Sequence, residues 1–327
     1  MGLVVFLMVL RLFLDNRVGV LLLLPAVLAL YLISYMLGFT SSFGPALEVQ
    51  QLVPYLAKMP TANVLAHFLM LLLNAVALNW VFNSREFLEK NTFIVSLNYL
   101  IFMSFFHTWG TPSWLLVAQL FCILGFGLFF GIKPQQNAKK PAFNAAFTFG
   151  ISVFFEPSFV YLLPVLLLMF IVIRGFYFRE LLLLVIGFLL PLGGLLSFEW
   201  LSFQQSHFSF LPNVHYYAPN WQDLTILSLI LLTLLFSLLG LRARLHKASL
   251  KLKKQTQILT VFTFFILALG LAAFFFIGQI GLLSLVILPF SFYFSYALLS
   301  SSLGISSHLF FYILFGFSLL KFLLFTI

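Results

Sequence analysis

The sequence predicts an all-α, polytopic transmembrane bundle of about eleven spans, with nine as the lower bound, and three observations predict it. First, 63% of the residues are hydrophobic and only 8% are charged. A soluble domain carries about a quarter charged residues, enough to cover a water-facing surface, so lipid must solvate most of this chain. Second, apolar runs near the length that crosses roughly 30 Å of hydrocarbon recur from end to end. Third, the basic residues gather in alternate breaks between those runs, the charge bias of multi-pass proteins. Membrane β-barrels alternate apolar and polar residues in ten-residue strands, and these Leu/Phe/Ile runs do not.

Taken in order, residues 1–17 predict a short interfacial helix. Residues 2–14 are apolar, but Arg11, Asp15 and Arg17 interrupt or follow them. A cleaved signal has the reverse order, with cations first and small residues last. The predicted spans are 18–38, 62–83, 91–106, 114–132, 142–155, 158–173, 181–202, 224–240, 257–277, 282–299 and 308–326. Only Glu156-Pro157 separates the fifth from the sixth. Proline there fits a sharp turn between two spans, and a re-entrant pair or one broken helix fits as well. The whole of 1–327 is read as one integral membrane domain, with outer loops at 39–61 and 203–223 and a basic inner loop at 241–256.

With the N-terminus inside and the C-terminus outside, 15 of the 17 basic residues fall on the inner side. Lys58 alone lies in an outer loop, and Lys321 lies near the outer end of the last span. Asp15, Glu86, Glu89 and Glu180 are inner and have basic neighbours. Glu48, Glu156, Glu199 and Asp223 are outer, which leaves the outer loops acidic. The expected setting is a bacterial cytoplasmic (inner) membrane. Six cations of the 241–256 segment, Arg242, Arg244, Lys247, Lys251, Lys253 and Lys254, are expected to rest on anionic lipid headgroups.

Several chemistries find no support. The single cysteine, Cys122, allows no intrachain disulfide and no CxxC motif. The six histidines form no HxxxH or HExxH pair. No cofactor is predicted, although a divalent metal stays open. There is no GxxxxGK[ST] motif for nucleotide phosphates. Nucleic acid is not expected as a partner, since the basic residues sit in short loops between spans. The span centres hold Asn74, Asn79 and Asn98 but almost no ionisable group, which disfavours ion-coupled transport.

The outer side carries the candidate chemistry. Glu48 and Glu156 are candidate general bases, able to take a proton from an acceptor hydroxyl. The loop around 204–223 holds His207, His215, Tyr216, Tyr217, Trp221 and Asp223. Aromatics with His and acids line sugar sites; they also furnish the membrane interface, and both readings stand.

Residues 78–106 (LNWVFNSREFLEKNTFIVSLNYLIFMSFF) and 143–192 (FNAAFTFGISVFFEPSFVYLLPVLLLMFIVIRGFYFRELLLLVIGFLLPL), with Arg11-Leu12-Phe13, resemble a bacterial family of polytopic membrane proteins known as a domain of unknown function. The resemblance covers about the first 200 residues and implies membrane integration, without an activity. The second block also resembles, more loosely, membrane glycosyltransferases of the C superfamily. The features that carry it are Gly150, Glu156-Pro157, Pro164 and the basic Arg174-to-Arg179 stretch. That resemblance implies a polyprenyl-phosphate sugar donor and an acid in the first outer loop, where this chain has Glu48. The expectation is therefore a glycosyltransferase-like protein acting on lipid-linked sugar at the outer face. The alternatives are a non-enzymatic subunit or assembly factor with a membrane-protein partner, and an uncoupled transporter of lipid or small molecules.

Overall fold

A computed structural model describes residues 10, 12–14, 18–36, 60–88, 90–106, 113–133, 137–201, 216–245, 248–278, 280–300 and 304–324. Among these the chain is helical and contains no strand. Helix α1 (Leu24–Met36) follows a 3-10 segment at Val18–Leu23, and α2 (Pro60–Ser84) and α3 (Ile94–Phe106) come next. Then follow α4 (Trp114–Phe129), α5 (Lys139–Phe155), a 3-10 segment at Pro157–Tyr161, α6 (Leu162–Arg174) and α7 (Phe178–Leu201). The last third holds α8 (Trp221–Leu245), α9 (Leu250–Ile277), the single turn α10 (Gly281–Ser284), α11 (Ile287–Leu299) and α12 (Gly304–Leu324). Every apolar run of the sequence thus contains helix. Five segments are long and apolar enough to cross a membrane: Val64–Ser84, Pro157–Arg174, Trp221–Arg242, Leu250–Ile277 and Gly281–Leu299.

The side chains follow the rule of a lipid-solvated protein. On α2, Leu65, Leu69, Leu73, Val76 and Trp80 recur at three- and four-residue spacing and are exposed. The polar His67, Asn74 and Asn79 of the same helix are buried. Water would reverse this arrangement, because apolar faces avoid water and polar groups seek it. Hydrocarbon favours it, since a polar group there needs a protein partner.

The helices divide into two compact units, a division the sequence reading did not anticipate. Unit 1 comprises Met1–Pro112, Pro219–Leu252 and Ile287–Ile327, and unit 2 comprises Ser113–Ala218 and Lys253–Val286. At the centre of unit 1, every residue of α3 is buried, as is α11 from Ile287 to Leu298. Burial along almost their whole length makes these two helices core. Polar bonds fix their register: the Asn98 amide donates to Ser295 Oγ at 3.1 Å, and Tyr31 Oη pairs with Ser318 Oγ at 2.7 Å. The Tyr296 hydroxyl donates to the Phe87 carbonyl at 3.2 Å. Gly240 on α8 lets the backbone of Ala297 approach, and a Cβ there would meet Ala297 Cα at 2.4 Å.

Residues 10 and 12–14 also belong to unit 1. Phe13 is fully buried and its carbonyl accepts the Phe93 N–H at 2.9 Å, so this part of the predicted interfacial helix is anchored in a core.

Unit 2 is built on α5 and α7, which touch through backbone. A Cβ at Gly150 would lie 2.4 Å from the Phe188 carbonyl oxygen, and one at Gly187 would lie 2.7 Å from that of Phe143. Small residues permit such contact, and in lipid it is packing that holds helices together. Helices α5 and α6 form a hairpin. Glu156 is extended at its tip, and Pro157 opens the 3-10 segment because the first turn needs no donor there. At the other end, Arg174 makes two bonds to Glu180, Nε to Oε2 at 3.0 Å and Nη2 to Oε1 at 2.8 Å. Glu180 Oε1 also accepts the Ala138 N–H at 3.2 Å, which ties the start of α5 to the start of α7. The hairpin therefore returns to the end from which it started.

The basic 241–256 segment differs from the predicted loop. Residues 241–245 end α8 and 250–256 begin α9. Long cationic side chains are good helix formers, so both helices continue past their apolar stretches.

Candidate functional site at the Glu156 turn

Glu156 caps α5, its N–H donating to the Ser152 carbonyl at 3.1 Å, while its own carbonyl accepts from the Phe159 N–H at 3.0 Å. Both bonds hold the turn and leave the side chain to point elsewhere. The carboxyl Oε1 accepts the Ser158 hydroxyl at 2.7 Å. Gly281, at the start of α10, lies against the same group. A Cβ there would come within 2.8 Å of Oε1 and 2.9 Å of Ser158 Oγ, so the absence of a side chain makes room for the carboxyl. Farther along the same elements, the Gln119 amide of α4 donates to Ser284 Oγ at 2.9 Å, and Ser284 donates to the Gly281 carbonyl at 2.7 Å. Trp114 and Phe121 stack on Phe155, next to the turn.

Burial pushes the Glu156 carboxyl above its ordinary value, and the Ser158 hydroxyl and main-chain amide oppose the shift without cancelling it. A carboxyl whose proton affinity is raised by burial beside a specific hydroxyl is a candidate for general acid or base work. No family model, curated protein or solved structure matches this chain. Function must therefore be argued from the site itself.

Of the other expected site residues, Glu48, His207, His215 and Lys247 lie outside the described residues. Tyr216 is exposed in unit 2. Tyr217, also in unit 2, donates its N–H to the Phe275 carbonyl at 2.9 Å and sets its ring edge-on to Phe274 at 5.2 Å. Trp221 is exposed at the first position of α8 in unit 1. Asp223 is buried, and its Oδ2 accepts the Asn220 N–H at 3.0 Å. That bond runs from the third helical residue back to the residue before the helix, the reciprocal half of a capping box. A structural duty thus accounts for Asp223.

Among the expected headgroup contacts, Arg242, Lys251 and Lys253 are exposed and Lys254 is partly so. The side chain of Arg244 lies outside the description. Lys251 pairs with Glu86, whose backbone takes a positive φ of 55°. Among the described residues, no three of His, Cys, Asp and Glu come together in a group that could hold a metal ion. Sequence reasoning missed Ser158, Gly281, Ser284 and Gln119. Ser158 was within reach, as a hydroxyl two residues after an acid at a turn. Gly281 lies 125 positions from Glu156 in the chain, and only folding brings them together.

Proposed function

We propose that this chain is a multi-pass protein of a bacterial cytoplasmic membrane that transfers a glycosyl group from a polyprenyl-phosphate donor at the outer face. One observation carries the reading: a partly buried carboxyl, Glu156, held by Ser158 in the space left by Gly281. Its end of the hairpin is opposite the basic Arg174 end, and cations on the cytoplasmic side would set Glu156 at the outer surface. In the proposed step the acceptor hydroxyl gives its proton to Glu156 as its oxygen attacks the anomeric carbon. The bond from that carbon to the phosphate oxygen breaks, and the polyprenyl phosphate leaves with the electron pair. Glu48 keeps its expected part as a second outer acid. The looser glycosyltransferase resemblance supplies the donor class, and the raised carboxyl supplies the base.

The test is native mass spectrometry of the protein extracted from its own membrane, beside Glu156→Gln and Gly281→Ala. A bound polyprenyl-phosphate sugar that turns over in the wild type and persists unreacted in both variants supports the transferase. A stoichiometric protein partner with bulk phospholipid alone, unchanged in both variants, refutes it and favours an assembly subunit.

A further inference from the structure

The end of unit 2 opposite Glu156 carries a cluster of exposed cations, of which Lys139 also acts through space on Glu180. Lys133 follows α4, Lys139 and Lys140 occupy the first turn of α5, and Arg179 occupies the first turn of α7; all four side chains are exposed. The framework bonds bring these segments together: Arg174 donates to the Lys133 carbonyl at 3.4 Å, and Glu180 accepts from Ala138 at 3.2 Å. Glu180, the acid described at this end, is engaged by Arg174 and Ala138. Cations in the first turn of a helix oppose its dipole, so Lys139, Lys140 and Arg179 weaken the helices that bear them. The pull of Lys139 on Glu180 aside, local stability does not explain the cluster, whereas an external anion would.

Between α6 and α7 the chain turns at Gly175, with φ of 84°, and presents Phe176, Tyr177 and Phe178 outward. Phe176 is 74% exposed and Phe178 67%. From Phe178 an exposed apolar row continues along α7 at four-residue spacing through Leu182, Ile186 and Leu190. The aromatic turn is thus continuous with a face that hydrocarbon covers, and the cations stand beside it. Apolar rings rimmed by Lys and Arg match the boundary between acyl chains and headgroups.

We infer that Lys133, Lys139, Lys140 and Arg179, with Phe176 and Phe178 inserted beside them, form a binding surface for anionic phospholipid headgroups. The occupant is the leaflet itself: its acyl chains take the rings and its phosphates take the cations. This surface lies on unit 2, at the other end of the α5–α6 hairpin from Glu156.

A local probe tests it. Phe176→Trp is reconstituted into phosphatidylcholine vesicles containing a minor share of phosphatidylglycerol, and the five native tryptophans are subtracted with the wild type. Brominated phosphatidylglycerol should quench the new tryptophan more strongly than brominated phosphatidylcholine at the same mole fraction. Adding Lys139→Gln, Lys140→Gln and Arg179→Gln should weaken that preference by about fivefold per cation removed, with the protein no less stable to unfolding. Should the triple variant insert poorly, salt replaces it, and the preference must fall between low salt and about 1 M NaCl. No quenching by either lipid would mean a water-exposed surface and overturn the inference, as would equal quenching by both. A preference that survives the triple variant and salt overturns it too. Competition by millimolar inorganic phosphate would assign the cations to a soluble anion instead.

Discussion

The contact between α5 and α7 can be tested with a single methyl group. In Gly150→Ala the new Cβ would lie 2.4 Å from the Phe188 carbonyl oxygen and 3.1 Å from the ring of Pro191. Ordinary contact begins about 1 Å farther out, and the obstacle is backbone, which cannot rotate away. The two helices must separate, and the reciprocal contact of Gly187 with Phe143 opens with them. Overpacking of this kind costs about 1–3 kcal/mol, against which alanine returns up to about 1 kcal/mol of helix propensity. The net expectation is a loss of about 1–2 kcal/mol, or roughly tenfold in the unfolding equilibrium. Gly194, on α7, provides the control, because a Cβ there meets nothing within 4 Å. Gly194→Ala should be neutral or gain up to about 1 kcal/mol. Steric trapping in bilayer-like micelles measures both unfolding free energies. If Gly150→Ala proves as stable as Gly194→Ala, the backbone contact between α5 and α7 does not exist as described.

Gly240→Ala should likewise destabilise unit 1, by about 1–3 kcal/mol in the same assay, since its Cβ would strike Ala297 Cα at 2.4 Å. Arg174→Ala strands a largely buried Glu180 and should cost about 2 kcal/mol, between the values for exposed and fully buried pairs. Burial raises the Glu180 carboxyl, but Arg174 and the Ala138 N–H outweigh it and set it below the ordinary range. Its stabilising part is therefore present above the unfolded value of about 4.3 and lost as pH falls through the lowered folded value. Arg174→Ala should flatten acid denaturation in that window. Glu156 has the opposite sign: its raised carboxyl keeps a proton in the folded state that the unfolded chain has released. Stability should then fall as pH rises above about 4.3, and Glu156→Gln should abolish that slope in unfolding titrations.

The helical class was legible because composition alone demands it, and the Glu156-Pro157 turn because proline punctuates the chain. The ends of α8 and α9 were misjudged for the reason that made the spans easy to find. Hydropathy marks where lipid contact stops, whereas a helix runs on through Arg and Lys to Leu245 and back to Leu250. The capping bond of Asp223 was not legible, because its spacing from Asn220 gives a capping box only once the helix is known to start at Trp221. The two-unit division was hidden for a different reason. Each unit collects segments from distant stretches of the chain, and nothing in local periodicity records which helices share a core.

Buried polar side chains in a lipid-solvated protein are costly unless they bond, and several of those described here join helices. Asn98 reaches Ser295, Tyr31 reaches Ser318, and Gln119 reaches Ser284. Each links elements far apart in sequence, so the fold explains it. The Glu156 carboxyl instead bonds Ser158, two residues along the same turn, where a glutamine would serve the backbone equally well. A carboxyl kept at the cost of desolvation, in space cleared by a glycine, calls for a reason outside the fold. This makes Gly281→Ala the sharper of the two variants at this site. Its Cβ meets side-chain atoms and no backbone, namely Glu156 Oε1 and Cδ and Ser158 Oγ, which can move at small cost. It should shift the carboxyl and leave unfolding nearly unchanged. Lost turnover in a protein of wild-type stability would tie function to the position of Glu156, and full turnover with the carboxyl displaced would remove Glu156 from the chemistry.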